Sequence, residues 1–247
     1  MKTSSEKEQP IQALATLHES ASLRAVTGSL LRPGGFRLTE RGIAFCDFPP
    51  SARIVDIGCG TGASVAYLHE KYHFTLLGLD SSEDLLRENG QMGACSFALA
   101  RAEELPLFHG VCDGILCECV LSLLLEPQRV LSEFARVLHP GGYLIISDLY
   151  DRCQEQSETT CLGKSNSVLR NRIALESLVV AAGFDLLVWE DHTNCLKELA
   201  AQLILSQDIR TDFCDFFAAF GSGSSGSSSR ITTPGPGYFL LVAQKKC

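Results

Sequence analysis

The run Val55-Asp56-Ile57-Gly58-Cys59-Gly60-Thr61-Gly62 constrains this 247-residue chain more than any other segment. It follows a short apolar stretch, Arg53 to Ile57, that reads as a buried strand, and it precedes a helical pattern from Ala63 to Lys71. Three glycines in that place let the backbone turn tightly and let a ligand approach without a Cβ in the way. The helix that follows offers free N–H groups to a carboxylate or phosphate. A strand, a glycine turn and a helix in this order are the opening of a doubly wound α/β fold.

The rest of the chain keeps that alternation. Thr75 to Leu79 reads as a second strand, Ser82 to Glu88 as a helix capped by Ser81 or Ser82, and Cys95 to Ala100 as a third strand. Gly114 to Cys119 is a fourth strand, Pro127 to Leu138 a helix, and Tyr143 to Asp148 a fifth strand after His139-Pro140-Gly141-Gly142. Ser167 to Ala182 reads as a helix stopped by Gly183, Leu186 to Glu190 as a sixth strand, Asn194 to Phe220 as a helical stretch, and Tyr238 to Gln244 as a last strand. Strands separated by helices imply a parallel sheet with right-handed crossovers, and ligands then bind at the carboxyl ends of the strands.

Domain organisation follows from the same pass. Residues 1–247 read as one domain, with a helical cap over 1–48 and a core over 49–150. An elaboration over 151–185 lies near the acceptor side, and the C-terminal strands and helix over 186–247 carry a Ser/Gly-rich loop at 221–229. The cap shows helical spacing over residues 11–31, is broken at Pro33-Gly34-Gly35, and resumes as a second helix from Thr39 to Phe45.

Composition narrows the partners. The formal charge is −8, so the chain gains no counterion-release energy from nucleic acid. Arg24, Arg32, Arg37 and Arg41 are read as a solvated helix face. The N-terminus has no apolar signal region and no stretch suits a bilayer, so a cytoplasmic protein with no membrane partner is expected. Eleven cysteines without a CxxC pair are read mostly as small buried hydrophobes, and no metal site is expected.

The identity of the ligand turns on the acids. Gly58-x-Gly60-x-x-Ala63 also fits a dinucleotide fingerprint, so a nicotinamide dehydrogenase stays in play. Asp56, beside the glycines, suits a cofactor with an ammonium group and gives a pyrophosphate nothing. Asp80 closes the second strand, where an acid accepts ribose hydroxyls. The segment Arg101-Ala102-Glu103-Glu104-Leu105-Pro106 follows the third strand, where a loop meets an adenine.

VDIGCGTG, Asp80, AEELPL, DGILCECVLSLL and EFARVLHPGGYLIISD, taken in order, resemble the class I S-adenosylmethionine-dependent methyltransferases of the type 11 kind. The resemblance covers about residues 50–150. It implies a Rossmann-like three-layer sandwich with a seven-stranded, mostly parallel sheet and an antiparallel last strand. It also implies S-adenosyl-L-methionine as cofactor and a small-molecule acceptor. On this resemblance Asp56, Gly58, Cys59, Gly60, Thr61 and Gly62 hold the methionine part, Asp80 and Ser81 the ribose, and Ala102 and Glu103 the adenine; Cys117 also belongs to the cofactor side. Arg101 departs from the family, which often has Asp there.

The acceptor side is expected at Glu118, Cys119 and Cys161. A cysteine after strand four and another in Cys161-Leu162-Gly163 locally resemble arsenite methyltransferases, whose thiolates hold a soft metalloid. A non-catalytic cofactor-binding protein of the same fold is the third possibility. His192 is read as a surface or capping residue and Trp189 as packing.

Overall fold

The computed structural model describes residues 32–88, 95–152, 169–205 and 236–247. The expected helices over 11–31, the Cys161 segment and the 221–229 loop lie outside the described residues.

Helix α1 (Gly35–Ile43) is followed by β1 (Arg53–Ile57), α2 (Ala63–Tyr72), β2 (Thr75–Asp80), α3 (Glu83–Glu88), β3 (Ser96–Leu99) and β4 (Cys112–Glu118). A single 3-10 turn at Leu121–Leu123 leads to α4 (Pro127–Val137), β5 (Leu138–Tyr150), α5 (Arg172–Ala181), β6 (Phe184–Asp191), α6 (Thr193–Leu205) and β7 (Gly237–Lys245). The strands form one seven-stranded sheet in the order β3-β2-β1-β4-β5-β7-β6. β1 pairs in parallel with both β2 and β4, and β4 in parallel with β5. β7 runs antiparallel to both neighbours, β5 and β6. The mostly parallel sheet with an antiparallel last strand is therefore as the sequence implies.

Burial explains the sheet. β1, β4 and β7 are buried along nearly their whole length, which is the pattern of a central strand covered on both faces. One core layer contains Ile54, Leu68, Leu116, Ile145 and Leu240, and the other contains Ile115, Leu131, Phe134, Ile146 and Leu241. Helix α4 shows how one segment earns its place. Pro127 opens it at a position where its missing N–H is no loss. Val130, Leu131, Phe134 and Val137 then form one buried stripe at helical spacing. Each such side chain contributes about 1.5–3 kcal/mol by leaving water.

Several boundaries differ from the sequence expectation: α5 starts at Arg172 and not Ser167, and β6 runs from Phe184 to Asp191 and not from Leu186 to Glu190. Helix α1 starts at Gly35, not Thr39. Pro33 and Gly34 form the turn that enters it, the expected helix before them lies outside the described residues, and Leu38, Thr39 and Ile43 are on the buried face. Strand β5 starts at Leu138, before the Pro-Gly-Gly segment. The pairing with β4 shifts between Cys112 and Gly114, so His139 to Gly142 is accommodated as an irregularity inside the strand.

The topology fixes where chemistry happens. The sheet order reverses at β1, with β2 on one side and β4 on the other. The crevice outside the carboxyl ends of β1 and β4 is the switch point where such sheets take ligands.

Candidate active site

The turn after β1 is built by two glycines with different physical duties. Gly58 has φ +69°, and a Cβ there would lie 2.2 Å from Cγ2 of Val120, in the loop after β4. Gly60 has φ +54°, and a Cβ there would meet nothing within 4 Å. Gly58 thus lets the β1 and β4 loops close on each other, while Gly60 faces open space that a ligand can fill. The turn is held down from β2: the N–H groups of Gly58 and Cys59 donate to the Leu79 carbonyl at 2.7 and 3.1 Å.

Asp80 ends β2 and is only 8% exposed. The Gly60 N–H donates to its Oδ2 at 2.8 Å, and the Ser82 N–H donates to its Oδ1 at 2.8 Å. One carboxylate therefore ties the glycine turn to the start of α3. Ser81 itself is exposed, and Ser82 caps α3 through a long 3.4 Å contact from the Leu85 N–H.

Asp56 and Glu118 complete an acidic floor. Asp56 sits in β1 at 3% exposure and Glu118 ends β4 at 8%. Burial pushes the Asp56 carboxyl well above its ordinary range, Glu118 and Asp80 add to this, and Arg32 opposes it. Burial also raises Glu118, against the Arg32 charge and hydrogen bonds from Thr39, Ser64 and Ser147. Three buried carboxylates in one crevice suit a ligand that carries positive charge.

Arg32 is the residue that the sequence pattern missed. It was expected on a solvated helix face, but its side chain is 11% exposed and pairs with Glu118 at 3.0 Å. Its Nη2 also donates to Thr39 Oγ1 at 2.6 Å and its Nη1 to Ser64 Oγ at 2.7 Å. Thr39 passes the contact on, donating to Glu118 Oε1 at 2.9 Å. Arg37 and Arg41 do lie at the surface, paired with Glu198 and Glu190. The long sequence separation between Arg32 and Glu118 is the reason that no local pattern showed the pair.

The other expected residues are distributed unevenly. The Cys59 side chain packs in the core beside Gly78, and burial raises its thiol pKa. Cys117 has no exposed surface, and its side chain belongs to the opposite core layer, so only its main chain is near the strand end. Ala102 is buried near the start of the loop after β3, and Glu103 is flanked by Arg101 at 3.5 Å. Glu118 is engaged by Arg32 at 3.0 Å and by Thr39 at 2.9 Å. Cys119 has φ +58°, rare for a residue with a side chain, and its sulfur lies 3.0 Å from the Tyr238 hydroxyl. The Tyr238 hydroxyl in turn donates to Ser147 Oγ at 3.2 Å. Burial, with Asp148 nearby, raises the Cys119 thiol pKa. Trp189 stacks on Phe239 at 4.4 Å and His192 pairs with Glu190 at 2.9 Å.

Past β4 the chain is rich in apolar side chains: Leu121 is buried, Val120, Leu123 and Leu124 are half-buried and Leu125 is exposed. A narrow cavity opens beside them, lined by Leu121, Ser122, Asp148, Leu149, Arg170 and Phe239. Asp148 accepts hydrogen bonds there from the Ser122 N–H at 2.8 Å and hydroxyl at 2.7 Å.

A family model described as a methyltransferase domain matches residues 55–146, the span from the glycine turn through β5. The chain is 32% identical over 235 residues to the methyltransferase GfsG of Streptomyces halstedii, covering 87% of this chain and 82% of that one. The chain belongs to the S-adenosylmethionine-dependent methyltransferases. This methyltransferase is also 30% identical over 151 residues to the ubiquinone/menaquinone biosynthesis C-methyltransferase UbiE of Vibrio cholerae, covering 57% of this chain and 58% of UbiE. Among solved structures it resembles the [4+2]-cyclase SpnF, with a TM-score of 0.71 at 22% identity over 97% of both chains. It likewise resembles the phosphoethanolamine N-methyltransferase 2 of Haemonchus contortus bound to S-adenosyl-L-methionine. That match has a TM-score of 0.70 at 17% identity, over 97% of this chain and 57% of the other. These structural likenesses concern the fold. The methyltransferase uses S-adenosylmethionine, and the nicotinamide alternative falls away. Among the described residues no helix is long and apolar enough to cross a membrane.

Proposed function

We propose that the Gly58–Gly62 turn, Asp56 and Asp80 hold S-adenosylmethionine, and that the methyl group passes to a small molecule with an apolar body. The observation that carries this is the pairing of open space at Gly60 with the Asp80 carboxylate fixed beside it at 2.8 Å. The turn supplies room for the methionine end beside the first turn of α2, and Asp80 stands where a ribose is recognised. Ala102 and Glu103 flank the adenine in this arrangement, with Ser81 at the ribose edge.

The cofactor supplies an electrophilic methyl on a sulfonium. The protein's part is to hold the acceptor atom in line and to exclude water. A general base is required only for an acceptor that is protonated at neutral pH. Glu118, Cys119 and Asp148 are already engaged at the strand ends by Arg32, Tyr238 and Ser122. The leucines after β4 offer contact to an apolar body instead, and the relative UbiE is a C-methyltransferase.

The test is transfer of labelled methyl from S-adenosylmethionine across a panel of quinones, phenols, polyketide-like alcohols, small amines and arsenite. Turnover is expected with one of the apolar acceptors and none with arsenite. Turnover confined to charged amines or to arsenite contradicts the acceptor proposal.

A further inference from the structure

Arg170 lacks what most of the protein's described arginines have. Arg32, Arg53, Arg136 and Arg172 each meet a carboxylate at 3.2 Å or less. Arg170 is half-buried, yet its side chain has no ion pair and no hydrogen bond among the described residues. Burial lowers its guanidinium from the ordinary range, and no acid offsets this. A cation drawn partly out of water without a counter-ion works against folding, so an arriving anion is what it suits. Its donors are not sealed off. Arg32 Nε is the fully covered side-chain nitrogen without a partner among the described residues, and no Arg170 nitrogen shares that state.

The main chain fixes where this arginine stands. The Asp151 N–H donates to the Arg170 carbonyl at 2.9 Å, and Asp151 bridges in parallel to Asn171. Arg170 is thereby held at the carboxyl end of β5, just before α5. β5 neighbours β4 on the side away from β1 and β2. With the cofactor between the β1 turn and Asp80, the acceptor has the β4 and β5 side of the crevice left to it. There Arg170 lines the narrow cavity beside Ser122 and Asp148.

The walls of that cavity say which anion fits. Leu121, Leu169, Leu175 and Phe239 make them largely apolar. Asp148 is already answered by the Ser122 N–H at 2.8 Å, the Ser122 hydroxyl at 2.7 Å and the Leu149 N–H at 2.7 Å. Arg170 is left as the charged donor that still needs an acceptor. One guanidinium balances one negative charge, and a carboxylate matches its planar fork with two parallel hydrogen bonds. A phosphate dianion would bring a second charge, uncompensated among leucines and next to Asp148.

We propose that Arg170 binds a carboxylate carried by the methyl acceptor, in the cavity beside Ser122 and Asp148. This rests on the acceptor reading given under Proposed function and narrows it: the small molecule with an apolar body also carries one negative charge. Arg170 binds and orients that molecule, and no bond is made or broken at it. The leucine walls receive the part of the body next to the carboxylate. Selectivity follows from the same charge balance. A molecule with the same body and a neutral or doubly charged head group is disfavoured.

The experiment is NMR titration of the full chain with octanoate, octanol and octyl phosphate, which share one apolar body and differ in head group, for wild type, Arg170→Gln and Arg170→Lys. Wild type is expected to bind octanoate about 10-fold or more tighter than octanol, the scale of one charge-assisted hydrogen bond, and tighter than octyl phosphate. Arg170→Gln is expected to abolish the preference by weakening octanoate alone. Arg170→Lys, which keeps the charge and loses the fork, should fall between. No partner is lost on substitution, so the melting temperature of Arg170→Gln should equal or exceed that of wild type. A wild type that binds octanoate and octanol equally, prefers the phosphate, or binds none of the three at millimolar levels overturns the proposal. So does an Arg170→Gln protein that keeps the preference, or one that melts well below wild type, which assigns Arg170 a structural role. A parallel titration with S-adenosylmethionine separates the two levels. Its failure to bind wild type defeats the cofactor placement, while an octanoate preference that vanishes in Arg170→Gln upholds the anion site by itself.

Discussion

Thr39 donates its hydroxyl hydrogen to Oε1 of Glu118 at 2.9 Å, joining the first described helix to the carboxyl end of the fourth strand. Both groups are buried, and Arg32 closes the triangle on the other oxygen at 3.0 Å. A buried ion pair is a weak source of net stability but is costly to break. Glu118→Ala should therefore lower the unfolding free energy by about 3–5 kcal/mol, because Arg32 is left without a counter-ion. Thr39→Val, which keeps the shape and removes one donor, should cost about 1–3 kcal/mol. Urea unfolding followed by circular dichroism measures both. A Glu118→Ala variant as stable as wild type would show that the pair is exposed to water in solution.

The two glycines of the turn should respond differently to the same substitution. Gly58→Ala adds a methyl within 2.2 Å of Val120 in a left-handed backbone, so it should lose about 2–4 kcal/mol of stability. The double variant Gly58→Ala/Val120→Ala should recover the crowding part of that loss. Gly60→Ala meets open space, so it should lose only about 1–2 kcal/mol, the cost of its φ. Cofactor affinity should nonetheless fall in Gly60→Ala, because the methyl occupies the ligand's room. Thermal melts and ligand titrations of the three variants check this, and a Gly60→Ala protein with full affinity would speak against a ligand at that turn.

Asp148 gives a pH dependence with a definite sign. Burial, its first cause, raises the carboxyl from 3.8 to about 6, against the hydrogen bonds from Ser122. The stability linked to this raised value is fully present below 3.8, and it falls between 3.8 and about 6, where the unfolded chain has released a proton that the folded chain still holds. That advantage is lost as pH rises through 6. The raised Asp56 and Glu118 act in the same direction. Asp113, Glu133, Glu190 and Asp191 are lowered, so their contribution is present above the ordinary carboxylate range and is lost as pH falls through it. The melting temperature of the ligand-free protein should therefore be higher near about pH 5 than near about pH 7.5, and should drop below about pH 4. Asp148→Asn should flatten the upper limb. A melting temperature that climbs steadily from pH 5 to 7.5 is the contrary result.

The sheet was legible because each strand carries its own local signal. Apolar runs at Arg53–Ile57, Thr75–Asp80 and Tyr238–Gln244 differ from their polar flanks, and Gly or Pro marks the turns between. Cofactor candidates such as Gly60 and Asp80 were legible for a related reason: strand ends in this topology converge, so residues just past two strands become neighbours. Arg32 was not legible. Its role depends on meeting Glu118, Thr39 and Ser64, and nothing in the spacing of nearby arginines separates it from the surface residues Arg37 and Arg41. The start of α1 at Gly35 and not Thr39 was not legible either, because it depends on the packing of Leu38 and Ile43. The cysteines carried two messages. Cys117 is core and Cys119 is bonded to Tyr238, and sequence position alone gives them the same weight.

The most direct measurement is the equilibrium binding of S-adenosylmethionine to wild type and to Asp80→Asn. Saturable binding at one site per chain is expected in wild type. Asp80→Asn should weaken it by about 10-fold to 100-fold, since one charged acceptor for the ribose is lost, while circular dichroism shows the same fold. Undiminished affinity in Asp80→Asn, or a wild-type protein that shows no binding at millimolar cofactor, would contradict the assignment of the crevice at the carboxyl ends of β1 and β4, which Asp80 flanks.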